Sequence, residues 1–398
     1  MGSRSLPLGV IVVIILGIIF SIEMPIEGLG SKYASINSED IVVLAVTIMT
    51  VYSLSQEGWR LRLQLPRLTS LLFLITGWQV ITLAVVIVWG ETPLVSSLWL
   101  FKWFEGLIFF VFLQHLWNES AAKTTLRTIL FGGSAMALFA IVLSLTGTRR
   151  VRFFFHNPNT LAMFFVLVIF LGVGYGLRED NWFYFLLSCF GLIGLFTTGS
   201  RSGILALITS SIIFTFFAPL KLSRRQIFIS GVVGIISLTA LPVIAGDLIS
   251  RILSGVAIRD GTIVFTGKSY VKRIELILTA IDLFKQRPIF GYGWYAVPSR
   301  IGYLDNHYTT LLTELGIFGT TIYGLFYAFV LRVFISVRNR GDLILGTVLS
   351  SWFIGALVRS VADNSLRAPQ VMMLLFLLLV SGIALRENHT ETDSIISQ

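Results

Sequence analysis

Long runs of apolar residues recur from one end of the chain to the other, and short polar segments separate them. A helix of about 20 apolar residues is long enough to cross the hydrocarbon core of a membrane. The pattern therefore predicts an all-α, polytopic membrane protein, formed by a single transmembrane domain over residues 1–398. About twelve spans are expected, near residues 8–22, 40–56, 68–89, 94–117, 128–147, 160–177, 182–199, 203–220, 227–246, 309–334, 343–360 and 370–385.

Composition agrees with this pattern, since only 13% of the 398 residues are charged and the mean hydropathy is +0.84. Soluble domains typically carry about twice that share of charged residues. The one cysteine, Cys189, rules out an internal disulfide and a cysteine metal site. Because the sequence has no Asp-x-Asp motif, we expect no metal, and we expect no other cofactor.

The charges of the loops predict how the spans are oriented. Basic residues follow the second, fourth, eighth and tenth spans, so the positive-inside rule makes this side cytoplasmic. Both termini are then cytoplasmic, and residues 247–308 form one long external loop. The basic loops account for part of the net charge of +9, and we expect membrane lipids rather than nucleic acid as partners.

Several arginines lie on the predicted outer side, where the positive-inside rule disfavours them. They are Arg150 and Arg152 after the fifth span, Arg201 between small neighbours, and others in the loop 247–308. Positive charge kept on this side favours an anionic ligand, and the guanidinium of arginine binds phosphate oxygens in a forked geometry. Two simpler causes stay open, because long external loops are exported regardless of charge and Arg201 can be an interfacial anchor.

Residues 270–287 are expected to form an amphipathic helix in the outer interface. Arg273 does not share the polar face of this helix, but projects with Ile277, Ala280 and Phe284. A charge directed at protein or lipid requires an anionic partner. Arg273 is therefore a second candidate for binding an anion.

His307 opens the apolar span that follows the long loop, and either Asp305 or Asn306 can cap that helix. The positive end of the helix dipole should keep the imidazole neutral and able to accept a proton. Glu314 is seven residues further on, and so lies on the same helical face, two turns deeper. The alternative for His307 is an ordinary interfacial residue. His156 is the rival candidate for a catalytic base.

Within the fourth span, Lys102 and Glu105 are three residues apart and can neutralise each other. We favour this structural role for the pair. Charged residues inside a membrane are also functional candidates by default, so Lys102 stays a weaker candidate for substrate binding.

Four motifs resemble the bacterial O-antigen ligase and polymerase family. They are Asn157 to Ala162, Thr198 to Gly203, the Arg273 helix running into Pro288 to Gly293, and His307 to Gly316. Their order and spacing match over about residues 148–335, whereas the first five spans match only in hydropathy. An aromatic residue often follows the second arginine in this family, but here Arg273 is followed by Ile274 and Glu275.

The resemblance implies a membrane enzyme that moves a glycan from a polyprenyl diphosphate carrier to a lipid or glycan acceptor. It places the enzyme in the bacterial inner membrane, with the active site facing the periplasm. By motif, Arg201 and Arg273 hold the diphosphate and His307 serves the acceptor hydroxyl, without a metal. The weaker candidates for binding diphosphate or glycan are Arg150, Arg152, Asn306, Glu314 and Lys102.

Three alternatives to a ligase remain open at this point. A polymerase of the same family is the first. The second is a secondary transporter of a small anion, although such proteins tend to have inverted repeats and helices broken by glycine or proline at the bilayer midplane. Here the unusual charges gather at the outer rim, which favours an interfacial enzyme. The third, a scaffold or flippase accessory, gives His307 no role.

Overall fold

The protein is mainly helical. The computed structural model describes residues 8–19, 23–25, 35–89, 93–148, 150–152, 155, 157–218, 256–259, 262–265, 268–297, 301–302 and 304–396. The helices in these residues are α1 Leu8–Ile19, α2 Ser38–Gln56, α3 Pro66–Val88, α4 Pro93–Leu116, α5 Glu119–Leu145, α6 Pro158–Glu179, α7 Trp182–Thr197, α8 Arg201–Phe217, α9 Lys268–Gln286, α10 His307–Arg340, α11 Leu343–Arg359 and α12 Pro369–Ile396. One short 3₁₀ helix, Ser365–Arg367, lies before α12.

The expectation of an all-α membrane protein is confirmed in its main feature. Among the described residues, 7 helices are long and apolar enough to cross a membrane, namely α2 to α6, α10 and α12. The helices α1, α7, α8 and α11 are apolar but shorter. The chain is thus a multi-pass membrane protein, while the count of about twelve spans and the single transmembrane domain stay predictions. The ninth expected span, 227–246, lies outside the described residues.

Two short antiparallel strand pairs interrupt the helical pattern within the described residues. Strand β1, Glu23–Pro25, pairs with β2, Ser35–Asn37, and β3, Val256–Arg259, pairs with β4, Thr262–Phe265. The second strand pair lies in the loop predicted over 247–308, and so does α9. The amphipathic helix expected at 270–287 is therefore present.

The chain divides into two compact units. The first unit consists of residues 1–118, 272–332 and 360–380, and the second of 119–271, 333–359 and 381–398. The second unit contains α6, which is buried along most of its length. A Cβ at Gly172 of this helix would lie 2.8 Å from the backbone oxygen of Tyr184, so the small residue lets α6 and α7 approach closely.

In the first unit, α10 is broken at Gly316, which has φ 66° and ψ −170°. A Cβ at this position would lie 2.0 Å from the backbone oxygen of Ile289, so only glycine fits. The groups released by the break are satisfied by the segment before it. Tyr292 N donates to Thr313 O, Gly293 N to Glu314 O, and Ile317 N to Pro288 O, at 2.9, 2.8 and 2.8 Å.

The break turns the chain back on itself. His307 Nε2 and Tyr327 OH are 2.6 Å apart, although twenty residues separate them in α10. In a straight helix they would be about 30 Å apart, because the rise is about 1.5 Å per residue. The first arm, 307–315, must therefore fold alongside the beginning of the second arm, 317–340. The span predicted near 309–334 lies within α10, but it is interrupted at Gly316. Hydropathy could not show the interruption, because the turn depends on contacts with residues distant in sequence.

Candidate functional site

His307 is fixed at the beginning of α10 by its backbone and by a cap. Asn306 is the capping residue, since its Oδ1 accepts a hydrogen bond from Thr309 N at 2.8 Å. His307 N donates to Ser360 O at 2.9 Å, and the histidine has no exposed surface (0%). Of the two caps considered from the sequence, Asn306 therefore forms the bond.

Both ring nitrogens of His307 have polar side-chain partners. Nδ1 is 2.9 Å from Asn364 Oδ1, and Nε2 is 2.6 Å from Tyr327 OH. The amide of Asn364 is oriented by its own Nδ2, which donates to Thr310 Oγ1 at 3.3 Å. An amide oxygen only accepts, so Nδ1 carries a proton, and in the neutral ring Nε2 accepts from the tyrosine hydroxyl. We call His307, Thr310, Tyr327 and Asn364 the histidine cluster. In its neutral form the ring of His307 can take up a proton at Nε2.

Glu314 shares a helical face with His307, but its carboxylate is bonded to other residues. Its Oε2 accepts a hydrogen bond from Arg367 at 2.5 Å and another from Tyr295 N at 2.8 Å. The pair is buried, with side-chain exposures of 2% for Arg367 and 0% for Glu314. Glu314 also lies beside the break at Gly316, rather than two turns deeper in a continuous span. The carboxylate therefore ties the end of the first arm to the segments that contain Tyr295 and Arg367.

Arg273 has the anionic partner that its position in α9 required. Its Nε is 2.8 Å from Asp305 Oδ2, and its side chain is 37% exposed. Ile277, Ala280 and Phe284, which share its side of the helix, are less exposed than the residues on the opposite side. The ion pair joins α9 to the segment that leads directly into His307, and the other guanidinium nitrogens of Arg273 are outside this contact.

Lys102 is neutralised as expected, but by two carboxylates rather than one. Its Nζ is 3.2 Å from Glu105 Oε2 and also forms a short ion pair with Asp40 Oδ1. All three side chains are largely buried. Asp40 was not foreseen, because it lies in α2, far away in sequence.

In the second unit, Arg201 is the first residue of α8, and Gly199 before it has φ +60°. Ser200 caps the helix, since its Oγ accepts from Gly203 N at 3.0 Å. The same hydroxyl donates to Asn159 Oδ1 at 2.9 Å. Two of the motifs that suggested the family, the asparagine motif at 157–162 and the small-residue motif at 198–203, are therefore in contact.

Two further arginines contact the segment 198–203. Arg150 Nε lies 3.5 Å from Thr198 O, and Arg359 Nε donates to Ser202 Oγ at 3.3 Å. Arg359 is almost completely buried, with 1% exposure, and the sequence analysis did not single it out. The only sequence signal for Arg359 is its position at the end of an apolar run. The side chains of Arg150 and Arg359 therefore contact the segment in which α8 and Arg201 begin.

The candidates thus fall into two groups. The first unit contains Asn306, His307, Glu314, Arg273 and Lys102, and the second contains Arg201, Arg150 and Arg152, of which Arg152 is exposed. His156 lies outside the described residues. Sequence reasoning missed Tyr327, Asn364, Arg367 and Arg359, because none belongs to a local motif.

A comparison with protein families finds that residues 183–324 match the O-antigen ligase family model. The matched region contains Arg201, Arg273 and His307 and three of the four motifs, and it confirms the resemblance to this family; the motif at 157–162 lies outside it. The match supports a function in surface polysaccharide assembly, in a family of glycosyltransferase-like enzymes that use lipid-linked glycans. No curated protein matches the chain.

Proposed function

We propose that the protein is a glycosyltransferase of the O-antigen ligase kind. It transfers a glycan from a polyprenyl diphosphate carrier to an acceptor hydroxyl, at the periplasmic face of the bacterial inner membrane. The observation that carries the proposal is the histidine cluster, which leaves Nε2 of His307 as the basic nitrogen in a motif that matches the family.

The reaction assigns one chemical step to His307. The acceptor hydroxyl takes the place of Tyr327 OH at Nε2, because Nδ1 carries the proton that it donates to Asn364. As the hydroxyl oxygen attacks the anomeric carbon, its proton passes to Nε2. The bond between that carbon and the diphosphate oxygen breaks, and the diphosphate leaves with the electron pair. A single displacement of this kind inverts the anomeric configuration.

The leaving diphosphate must be stabilised by positive charge. We assign this role to arginine, whose forked donors match phosphate oxygens. The candidates that the family motifs suggest, Arg273 and Arg201, both lie within the family match. Arg150 and Arg359 contact the same segment, 198–203, through Thr198 and Ser202. We propose that the step needs no metal, so activity should persist in excess chelator.

A transporter is the second candidate, and the break at Gly316 is the observation in its favour, because transporters coordinate ions with the carbonyls of broken helices. Here three such carbonyls are already occupied. Thr313 O and Glu314 O accept from backbone N–H groups, and Leu315 O accepts from Trp78 Nε1 at 2.9 Å. The break is therefore better suited to holding the first arm of α10, which begins at His307, than to binding an ion.

The test compares the parent protein with His307→Ala and the control His115→Ala in proteoliposomes that contain the lipid-linked donor and the acceptor. His115 lies in the last turn of α4, bonded to Ser53 Oγ at 3.2 Å. His307→Ala should slow transfer about 10²- to 10⁴-fold and leave donor binding intact. The control should transfer at the parent rate.

Two results would contradict the proposal. Transfer by His307→Ala at the parent rate would move the base elsewhere, with His156 as the next candidate. Absence of transfer by the parent, together with solute uptake that depends on His307, would favour the transporter.

A second experiment separates a ligase from a polymerase. The gene is deleted and the surface polysaccharide is analysed. Unattached polymer of normal length indicates a ligase, and shortened chains indicate a polymerase.

A further inference from the structure

A short loop joins two helices that are each long enough to cross a membrane. It consists of residues 57–65, between α2 and α3, and we call it the α2–α3 loop. A segment of this length spans about 30 Å when fully extended, so its middle stays within about 15 Å of the helix ends. The loop therefore lies at the surface of the membrane, within reach of the lipid headgroups.

Basic and apolar residues alternate along the loop. Arg60 and Arg62 lie between Trp59, Leu61 and Leu63 in the sequence. All five residues are exposed, and the three apolar ones have exposures of 69%, 39% and 38%. The positive-inside rule accounts for arginines in such a loop, but not for exposed apolar side chains among them. An indole ring and two leucines are favoured where the headgroups meet the acyl chains, because that region offers apolar surroundings next to water.

The charge of this region fits an anionic lipid. From Glu57 to Arg67 the chain has three arginines and one glutamate, a net charge of +2. The glutamate is paired with Arg62, whose Nη2 lies 3.0 Å from Glu57 Oε2, but the two side chains are 41% and 64% exposed. An ion pair in water is weak, so it does not prevent a lipid phosphate from binding the other guanidinium nitrogens of Arg62.

The backbone of the loop is fixed at both ends. Trp59 N donates to Leu54 O, in the last turns of α2, at 2.8 Å. At the other end, Leu65 N donates to Gln114 Oε1 of α4, also at 2.8 Å. Trp59 has φ 62°, in a region that non-glycine residues rarely adopt and that is often found at ligand sites. Because the loop is held in this way, a lipid that binds it does not have to order it first.

We propose that the α2–α3 loop is a binding site for an anionic phospholipid. Arg60 and Arg62 donate to the lipid phosphate, while Trp59, Leu61 and Leu63 contact the upper part of the acyl chains. A soluble anion lacks the apolar part that this surface favours. The inference does not rest on the proposed function, because the loop lies outside residues 183–324, which match the family.

The experiment uses the full-length protein in nanodiscs of phosphatidylcholine with a small share of brominated lipid. Bromine atoms on the upper acyl carbons quench the emission of nearby tryptophans. The emission of Trp59 is obtained as the difference between the parent and Trp59→Phe. Brominated phosphatidylglycerol is compared with brominated phosphatidylcholine, in the parent and in a double variant that carries Arg60→Gln and Arg62→Gln.

The matched control is a double variant that carries Lys272→Gln and Lys285→Gln. Both lysines are exposed residues of α9, and their replacement changes the net charge by the same amount as the arginine double variant. The control therefore separates the effect of charge in the loop from the effect of the net charge of the protein.

Trp59 should be quenched by both lipids, and the anionic lipid should be about tenfold more effective, because each arginine near an anionic lipid contributes several-fold to its binding. The arginine double variant should lose this preference and retain quenching by phosphatidylcholine. The lysine double variant should keep the preference of the parent. Added salt should reduce the preference, because it screens exposed charges.

Three results would overturn the inference. Equal quenching of Trp59 by the two lipids in the parent would show that the loop does not select anionic lipid. Absence of quenching by either lipid would place the loop outside the bilayer surface and would make a soluble partner its ligand. A preference that persists in the arginine double variant, or that is lost in the lysine double variant, would assign it to charges outside the loop.

Discussion

Replacing Glu314 with glutamine should strongly destabilise the first unit, because it leaves the guanidinium of Arg367 buried without a counter-charge. The two side chains are 2.5 Å apart and have exposures of 0% and 2%, so solvent does not screen them. Breaking a buried pair from one side costs about 3–5 kcal/mol, whereas removing both charges together is often close to neutral. The informative quantity is therefore the coupling between the two positions.

The structure also predicts the order of the variants in stability. Arg367→Met loses the ion pair and the contacts with two aromatic rings, and the latter are worth up to about 2 kcal/mol when desolvated. It should therefore be less stable than Glu314→Gln. The double variant lacks the aromatic contacts but contains no isolated charge. Its cost should fall short of the sum of the single costs by about 3 kcal/mol or more.

The assay is reversible unfolding in mixed micelles, with tryptophan emission followed as the share of denaturing detergent rises. The parent, both single variants and the double variant complete the cycle. A matched control is the exposed pair of Lys285 and Asp282, in which both side chains are 68% exposed. Its cycle should give less than about 1 kcal/mol. If the costs at Glu314 and Arg367 simply add, the pair does not stabilise the fold and the reasoning fails.

Three further predictions concern the proposed reaction and the topology. Arg201→Lys and Arg273→Lys keep the charge but lose the forked donors, so transfer should fall about a hundredfold or more in each. The control Arg338→Lys should transfer normally. Near-parent rates in the first two variants would make these arginines interfacial anchors. Asn364→Leu removes the acceptor that holds the Nδ1 proton of His307, so it should lower kcat about 5- to 100-fold and leave the donor KM unchanged. An unchanged kcat would show that another contact sets the tautomer of the histidine. A reporter fused at Gly261 should be read outside the cytoplasm, and a cytoplasmic signal there would invert the proposed orientation.

Local patterns were sufficient for most of the helices. Hydropathy runs placed α2 to α8 to within a few residues, except for the start of α5 at Glu119, because span length depends on neighbours in sequence. The amphipathic period likewise predicted α9 and the protein-facing side of Arg273. What the period could not give was the identity of the partner, Asp305, which lies beyond the end of the helix.

Glu314 illustrates where such reasoning ends. A helical wheel correctly places it on one face with His307, but it describes a straight helix and says nothing about partners outside it. The partners are Tyr295, which precedes the helix, and Arg367, which lies in the 3₁₀ helix after α11. A buried carboxylate requires a counter-charge, so the need for a partner was foreseeable. The position of that partner in the sequence was not foreseeable.

The break at Gly316 explains why the histidine cluster could not be read from the sequence. A glycine within an apolar run is compatible with an unbroken membrane helix, and only the close approach of Ile289 makes the turn obligatory here. The turn brings Tyr327 to His307, and the resulting 2.6 Å contact occupies the nitrogen that a base must use. The same turn places Glu314 where it accepts the N–H of Tyr295 and pairs with Arg367. The candidate base and the buried ion pair therefore depend on one backbone feature, so a larger residue at Gly316 would disturb both.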